Sequence, residues 1–258
     1  MNRLSVISSP QRNGKVLALF LTGGFPHLDS TPDLVRRLAF AGADVIEIGM
    51  PFSDPLADGP VIQRSSAAAL NNGVTLKRIL DDVRTIRRSS EVPLVLMGYV
   101  NPIMSYGVES FFDDAGAAGV DGVILPELPL EEAGRFREQI ERNNLSQILL
   151  VTPTTPQERI AAIDAASSGF LYCVATTGVT GGGGRAAADD YVARVRSGAK
   201  KNPVLVGFGI ATPADARRAS AHADGVIIGS ALIARLTEGQ SLDVICAWVR
   251  SLKEALRG

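Results

Sequence analysis

The sequence predicts a single α/β domain over residues 1–258, folded as a (β/α)8 TIM barrel with extra helical segments near the N-terminus and after the second strand. Three observations predict it: eight short apolar runs rich in β-branched residues, amphipathic segments between them, and a spacing of about 30 residues per unit. Each run is bounded by Gly or Pro and is hydrophobic throughout, which favours parallel strands buried on both faces. A doubly wound open sheet uses the same units, and periodicity does not give strand order; the count of eight favours closure into a barrel.

The first run, residues 16–21, is followed by Ser30-Thr31-Pro32, a helix-opening sequence that leads to a stop at Ala41-Gly42. The second run is Val45-Ile46-Glu47-Ile48-Gly49. The longest connection, residues 52–91, holds a proline-rich acidic loop, room for an additional helix, and the regular helix starting near Thr75. Further strands are expected at residues 92–97, 122–125, 148–151, 170–174, 204–207 and 226–228, and Thr212-Pro213 opens a late helix that runs toward Ala221.

Composition narrows the ligand. A chain of 258 residues, 46% hydrophobic and 21% charged, can bury a large core. Its net charge of -1, without a basic cluster, argues against nucleic acid and anionic membranes, which require concentrated Lys and Arg; a small molecule is expected instead. No run reaches the roughly 20 apolar residues of a membrane span, and residues 1–11 lack the apolar centre of a secretory signal, so a cytoplasmic protein is expected. Cys173 and Cys246 fall in unlike elements and read as reduced core thiols. His27 and His222 do not pair at ligand spacing, so no transition-metal site is expected.

Glu47 is the first candidate for chemistry. A carboxylate inside a buried strand is costly unless it is paired or used, and no Lys or Arg occurs within any of the eight runs. If Glu47 faces the barrel interior near the carboxyl end of its strand, Ile46 and Ile48 face the helices, and desolvation raises its pKa toward neutrality. Asp58 lies eleven positions on, in a loop stiffened by Pro51, Pro55 and Pro60. Asp54 and Asp58 also fit simple turn chemistry, and Glu47, Asp54 and Asp58 together could hold a hard cation through oxygen ligands. Three glycine-bearing turns follow the last three strands: residues 177–184, 207–210 and 229–230. Backbone N–H groups at such turns, with Ser230 donating or capping the next helix, suit a phosphate. The first of these turns would also suit a lid.

These residues recur together in one known pattern. The string from Glu47 to Gln63, Glu-Ile-Gly-Met-Pro-Phe-Ser-Asp-Pro-Leu-Ala-Asp-Gly-Pro-Val-Ile-Gln, closely resembles the signature of the tryptophan synthase alpha chain family. So do Phe20-Leu21-Thr22, Tyr99-Val100-Asn101-Pro102, Gly119-Val120-Asp121-Gly122, Pro126-Glu127-Leu128-Pro129, Thr177-Gly178-Val179-Thr180-Gly181 and Gly207-Phe208-Gly209-Ile210, in family order along nearly the whole chain. The resemblance implies a lyase that cleaves indole-3-glycerol phosphate to indole and glyceraldehyde 3-phosphate. Glu47 and Asp58 match its catalytic carboxylates, Tyr172 a tyrosine of the site, and Phe20 the aromatic wall of the indole pocket. Thr180, Gly181, Gly209 and Ser230 match substrate and phosphate contacts. It further implies a tryptophan synthase beta chain partner in an alpha2beta2 heterotetramer, with Asp54 near the contact. No cofactor is implied on this chain, and pyridoxal phosphate is expected on the partner. The run Ala175-Thr176-Thr177 before Gly178, and four glycines leading to Arg185, depart from the usual lid sequence. Three other readings stay open from the residues: an autonomous indole-producing lyase, a non-catalytic subunit that senses a phosphorylated ligand, and a phosphosugar isomerase or epimerase on the same barrel.

Overall fold

The computed structural model describes residues 2–9, 13–174, 184–207 and 209–257, with only the backbone described at 184–187. Eight parallel strands close into a barrel in sequence order: β1 (Val16–Thr22), β2 (Val45–Gly49), β3 (Leu94–Met97), β4 (Gly122–Ile124), β5 (Ser146–Val151), β6 (Leu171–Val174), β7 (Val204–Gly207) and β8 (Gly225–Ile228). β8 pairs back onto β1, with Val16 opposite Gly225, which removes every free edge.

Helices form the outer layer. The first are α1 (Ser30–Phe40), α2 (Pro60–Asn71), α3 (Leu76–Arg87), α4 (Val100–Tyr106), α5 (Val108–Ala118) and α6 (Arg137–Arg142). Then come α7 (Gln157–Ala166), α8 (Gly184–Gly198), α9 (Pro213–Ala219), α10 (Ser230–Thr237) and α11 (Leu242–Ala255). α2 is the additional helix expected after the second strand, and α3 starts where its cap predicts, with the Thr75 hydroxyl accepting the Arg78 N–H at 3.1 Å. At α9, Thr212 and Asp215 form a reciprocal capping box. The N-terminal helical segment is a 3-10 turn, Arg3–Ser8.

The third strand begins two residues later than its apolar run. Pro93 has no N–H to donate, and the Val92 carbonyl is taken by the Arg87 guanidinium at 2.6 Å. Alternation along the strands divides the core in two. Val16, Ala18, Val45, Val95, Ile124, Ile148, Leu205 and Ile227 fill the barrel, and Leu4 and Ile7 of the 3-10 turn plug its amino-terminal end. Ile46, Ile48, Leu94, Leu96, Val204 and Val206 face outward to the helices. Cys173 and Cys246 are buried and free. Among the described residues no helix is long and apolar enough to cross a membrane.

Below the plug the barrel is sealed by charge. Asp121 is 2% exposed; its carboxylate accepts from Arg87 Nη2 at 2.5 Å, the Leu94 N–H at 2.8 Å and Arg3 Nη1 at 3.2 Å. The opposite, carboxyl-terminal end of the strands opens into a pocket, and among the described residues no ion pair comparable to this one is found there.

Candidate active site

Glu47 is placed by the two-residue period of β2. Val45 belongs to the barrel interior and Ile46 and Ile48 to the outer core, so Glu47 looks inward. In the ladder it stands between Phe20 of β1 and Val95 of β3. The side chain is fully buried, and neither carboxylate oxygen finds a hydrogen bond among the described residues. Burial alone lifts its pKa from the ordinary 4.5 to about 8. At neutral pH the group is therefore a protonated acid that can ionise at modest cost, the property required of a proton shuttle.

Two glycines let aromatic rings crowd this carboxyl. A Cβ on Gly49, two residues beyond Glu47 at the carboxyl end of the same strand, would lie 2.6 Å from Phe20 Cζ, so only glycine lets that ring lie against β2. A Cβ on Gly207 would lie 2.6 Å from the Tyr172 hydroxyl, so the tyrosine rests on the end of β7 in the same way. Tyr172 titrates far above the usual tyrosine range, first because it is desolvated and then because the charges of Glu47 and Asp58 both act on it. Glu47, Asp58 and Tyr172 thus occupy one electrostatic neighbourhood.

Asp58 reaches the pocket from the loop between β2 and α2. Phe20, Met50, Asp58, Ile62, Met97 and Tyr99 line this pocket at the strand ends. The loop is pinned: the Ala57 N–H donates to the Tyr99 hydroxyl at 3.0 Å, and the Gln63 amide donates to the Asp58 carbonyl at 2.9 Å. Partial burial pushes the Asp58 carboxyl up, the Tyr99 hydroxyl pulls it down, and the charge of Glu127 pushes it up again. Its surroundings are more polar than those of Glu47, whose shift comes from burial alone. Asp54 lies on the same loop but is exposed, bonded to the Ser53 hydroxyl and outside the pocket lining. Among the described residues no three His, Cys, Asp or Glu side chains stand close enough to hold a metal ion, so Glu47, Asp54 and Asp58 do not form the cation site that their spacing leaves open.

At the far side of the mouth, Gly209 has a positive φ of 65°, and Ser230 is the first residue of α10. Gly229, not Ser230, is the cap residue, and no side-chain capping bond forms there. The Leu232 and Ile233 N–H groups donate to the Gly229 carbonyl at 2.9 and 3.0 Å, so the N–H groups at this helix start that could meet an anion are those of Ser230 and Ala231. The pairing of Leu19 with Ile228 sets Phe20 beside this turn. Thr180 and Gly181 lie outside the described residues.

Tyr99, Ile62 and Glu127 enter the sequence reading only as members of the family motifs, and Met97 only as a strand end; none is given a role in the site there. Tyr99 sits two positions past the end of β3, where loop residues enter a barrel mouth, and that position is the signal that could have found it. Glu127 accepts the Val100 N–H at 2.5 Å across two loops, a contact with no local sequence signature.

The comparisons agree with this geometry. The family model for the tryptophan synthase alpha chain matches residues 7–255. A tryptophan synthase alpha chain from Geobacter sulfurreducens is 47% identical, over 94% of this chain and 93% of its own length. One from Pelobacter propionicus is 46% identical over 100% of this chain and 99% of its own. Among solved structures, tryptophan synthase subunit alpha from Legionella pneumophila superposes with a TM-score of 0.89 at 36% identity, covering 99% of this chain and 98% of that one. A chain of tryptophan synthase from M. tuberculosis, in an aminoacrylate- and BRD0059-bound form, superposes with a TM-score of 0.88 at 36% identity, covering 98% of this chain and 97% of that one. A family model that matches residues 7–255 and relatives 46–47% identical along nearly the whole chain show that this chain belongs to the tryptophan synthase alpha chain family.

Proposed function

We propose that the chain is a carbon-carbon lyase that cleaves indole-3-glycerol phosphate to indole and glyceraldehyde 3-phosphate. The observation that carries this reading is the Glu47 carboxyl, fully buried at the barrel mouth, with no hydrogen bond among the described residues and a pKa pushed up to about 8.

The chemistry is a reverse aldol. Protonated Glu47 gives its proton to ring carbon 3, and the positive charge that develops at the ring nitrogen is met by ionised Asp58, which accepts the indole N–H. Glu47, now a carboxylate, removes the proton of the adjacent side-chain hydroxyl. The carbonyl of glyceraldehyde 3-phosphate forms, the carbon-carbon bond breaks, and its electron pair returns to the ring. Glu47 ends the cycle protonated, as it began. Tyr172 orients Glu47, Phe20 forms the wall for the indole ring, and Thr180, Gly181, Gly209 and Ser230 hold the phosphate.

We further infer one domain over residues 1–258, a cytoplasmic location and a tryptophan synthase beta chain partner in an alpha2beta2 assembly. Pyridoxal phosphate chemistry belongs to that partner and no step on this chain needs it. Support for the partner comes from the loop that carries Asp54, where Leu56 is 93% exposed, an apolar side chain beside an acidic one on the rim of the site. Indole release from indole-3-glycerol phosphate by the purified chain, with and without a beta chain, tests the proposal. No indole in either case would leave a ligand-sensing subunit; full activity without the partner would leave an autonomous lyase.

A further inference from the structure

Trp248 is the one tryptophan of the sequence, and it lies on α11, outside the pocket. Its indole N–H donates to the Ala211 carbonyl at 3.0 Å. Ala211 closes the turn after β7 that carries Gly209, and its own N–H reaches the Asp215 carboxylate of the α9 capping box at 3.4 Å. Over the same indole ring sits the Arg235 guanidinium, 4.4 Å from the centroid. Arg235 belongs to α10, whose first residue is Ser230. Its Nε is buried and makes no hydrogen bond among the described residues, so the ring face is what this end of the guanidinium packs against. A cation on the ring face also polarises the indole N–H toward its acceptor.

β7 and β8 are neighbours in the sheet, with Gly207 opposite Ile227. Each is followed by one of the two described turns assigned to the phosphate. We propose that Trp248, clamped by Arg235, is a positioning residue that ties these turns together and fixes the spacing of their N–H groups. This rests on the reading that the turns hold a phosphate. The brace reaches one turn by a hydrogen bond and the other through the helix that follows it, so ligand at the turns also changes the surroundings of the indole. Trp248 emission then reports occupancy of the phosphate end.

The test is calorimetric titration of the purified full chain with glycerol 3-phosphate and, separately, with indole, which lacks the phosphate. Wild type and W248F are compared; the variant keeps an aromatic face for Arg235 and deletes the N–H. In W248F the Kd for glycerol 3-phosphate is expected to rise about 3- to 10-fold, the scale of one hydrogen bond, while the Kd for indole stays within about 2-fold. In wild type, emission should change with glycerol 3-phosphate and saturate at the calorimetric Kd. R235M, which keeps the fluorophore, should reduce that change. An unaltered phosphate affinity in W248F, or equal losses for both ligands, overturns the brace and leaves the phosphate reading standing. No uptake of glycerol 3-phosphate by wild type overturns the phosphate reading, and the brace with it.

Discussion

Replacing Glu47 with glutamine should change how stability depends on pH, and by an amount the structure sets. The folded carboxyl titrates at about 8 against an ordinary 4.5, because it is buried without a partner. The native state therefore holds a proton that the unfolded chain has lost, and stability falls as pH rises between these two values. Below pH 4.5 both states are protonated and the penalty is absent. At each pH unit above that, the native state loses ~1.4 kcal/mol relative to the unfolded chain, until Glu47 ionises in place. Between pH 5 and pH 8 the accumulated loss is about 3 to 4 kcal/mol. A glutamine of the same shape carries no such proton. Urea unfolding of wild type and E47Q at both pH values isolates this term, since every other titrating group is shared and cancels in the double difference. The variant should gain on wild type by about 3 kcal/mol from pH 5 to pH 8, whatever its fixed cost for a buried amide. Parallel stability profiles, within about 0.5 kcal/mol, would refute the assignment of an unpaired buried acid at this position. The same variant should bind phosphate ligands yet turn over about 10²- to 10⁴-fold more slowly.

Four other outcomes follow from the same geometry. Since the step at ring carbon 3 uses the protonated acid, kcat/KM should fall as pH rises through about 8, and a flat profile from pH 7 to 9 would count against Glu47 as the proton donor. Asp58→Asn should lower turnover by about 10²-fold or more, measured as indole release; a loss below about 3-fold reduces Asp58 to loop structure. Asp54→Ala should leave the isolated chain's rate unchanged and reduce the increase produced by a beta chain, so an intact increase removes Asp54 from the contact. At the sealed end of the barrel, Asp121→Ala strands Arg87 and should cost about 3 to 5 kcal/mol in urea unfolding, and a loss under about 1 kcal/mol would show that the latch is not coupled to folding.

How far the sequence reaches can be judged from single elements. All eight strands were visible because parallel strands buried on both faces leave continuous apolar runs; their ends shift by one residue at β1, β4, β6 and β8 and by two at β3, where the Val92 carbonyl has another claimant, and at β5, which begins at Ser146 ahead of its apolar run. The start of α3 near Thr75 was legible because a cap residue acts locally, whereas α2 was expected only as room for an additional helix and its start at Pro60 was read as part of the stiff loop. The inward direction of Glu47 followed from period-two alternation once the strand was placed. Tyr99, Glu127 and the pairing of Trp248 with Ala211 could not be read in the same way. Each depends on which loops meet at the barrel mouth, and that is fixed by closure of β8 onto β1, not by any local pattern.

Glu47 and Asp121 make the division of labour in this fold concrete. Both are buried carboxylates adjoining the strands, and both would cost several kcal/mol if ionised without compensation. The fold gives Asp121 two guanidinium donors and two backbone N–H groups, those of Leu94 and Arg3, on the amino-terminal side, where its charge holds β3, β4 and the N-terminal plug together. On the carboxyl-terminal side it gives Glu47 an aromatic ring, aliphatic neighbours and, among the described residues, no hydrogen-bond donor. A buried carboxylate surrounded by donors holds structure, because its charge is satisfied where it stands. One left unpartnered keeps its proton until a substrate supplies a reason to release it. The instability retained at Glu47 is therefore the condition for proton transfer there, and the ion pairs at the opposite end help the barrel carry it.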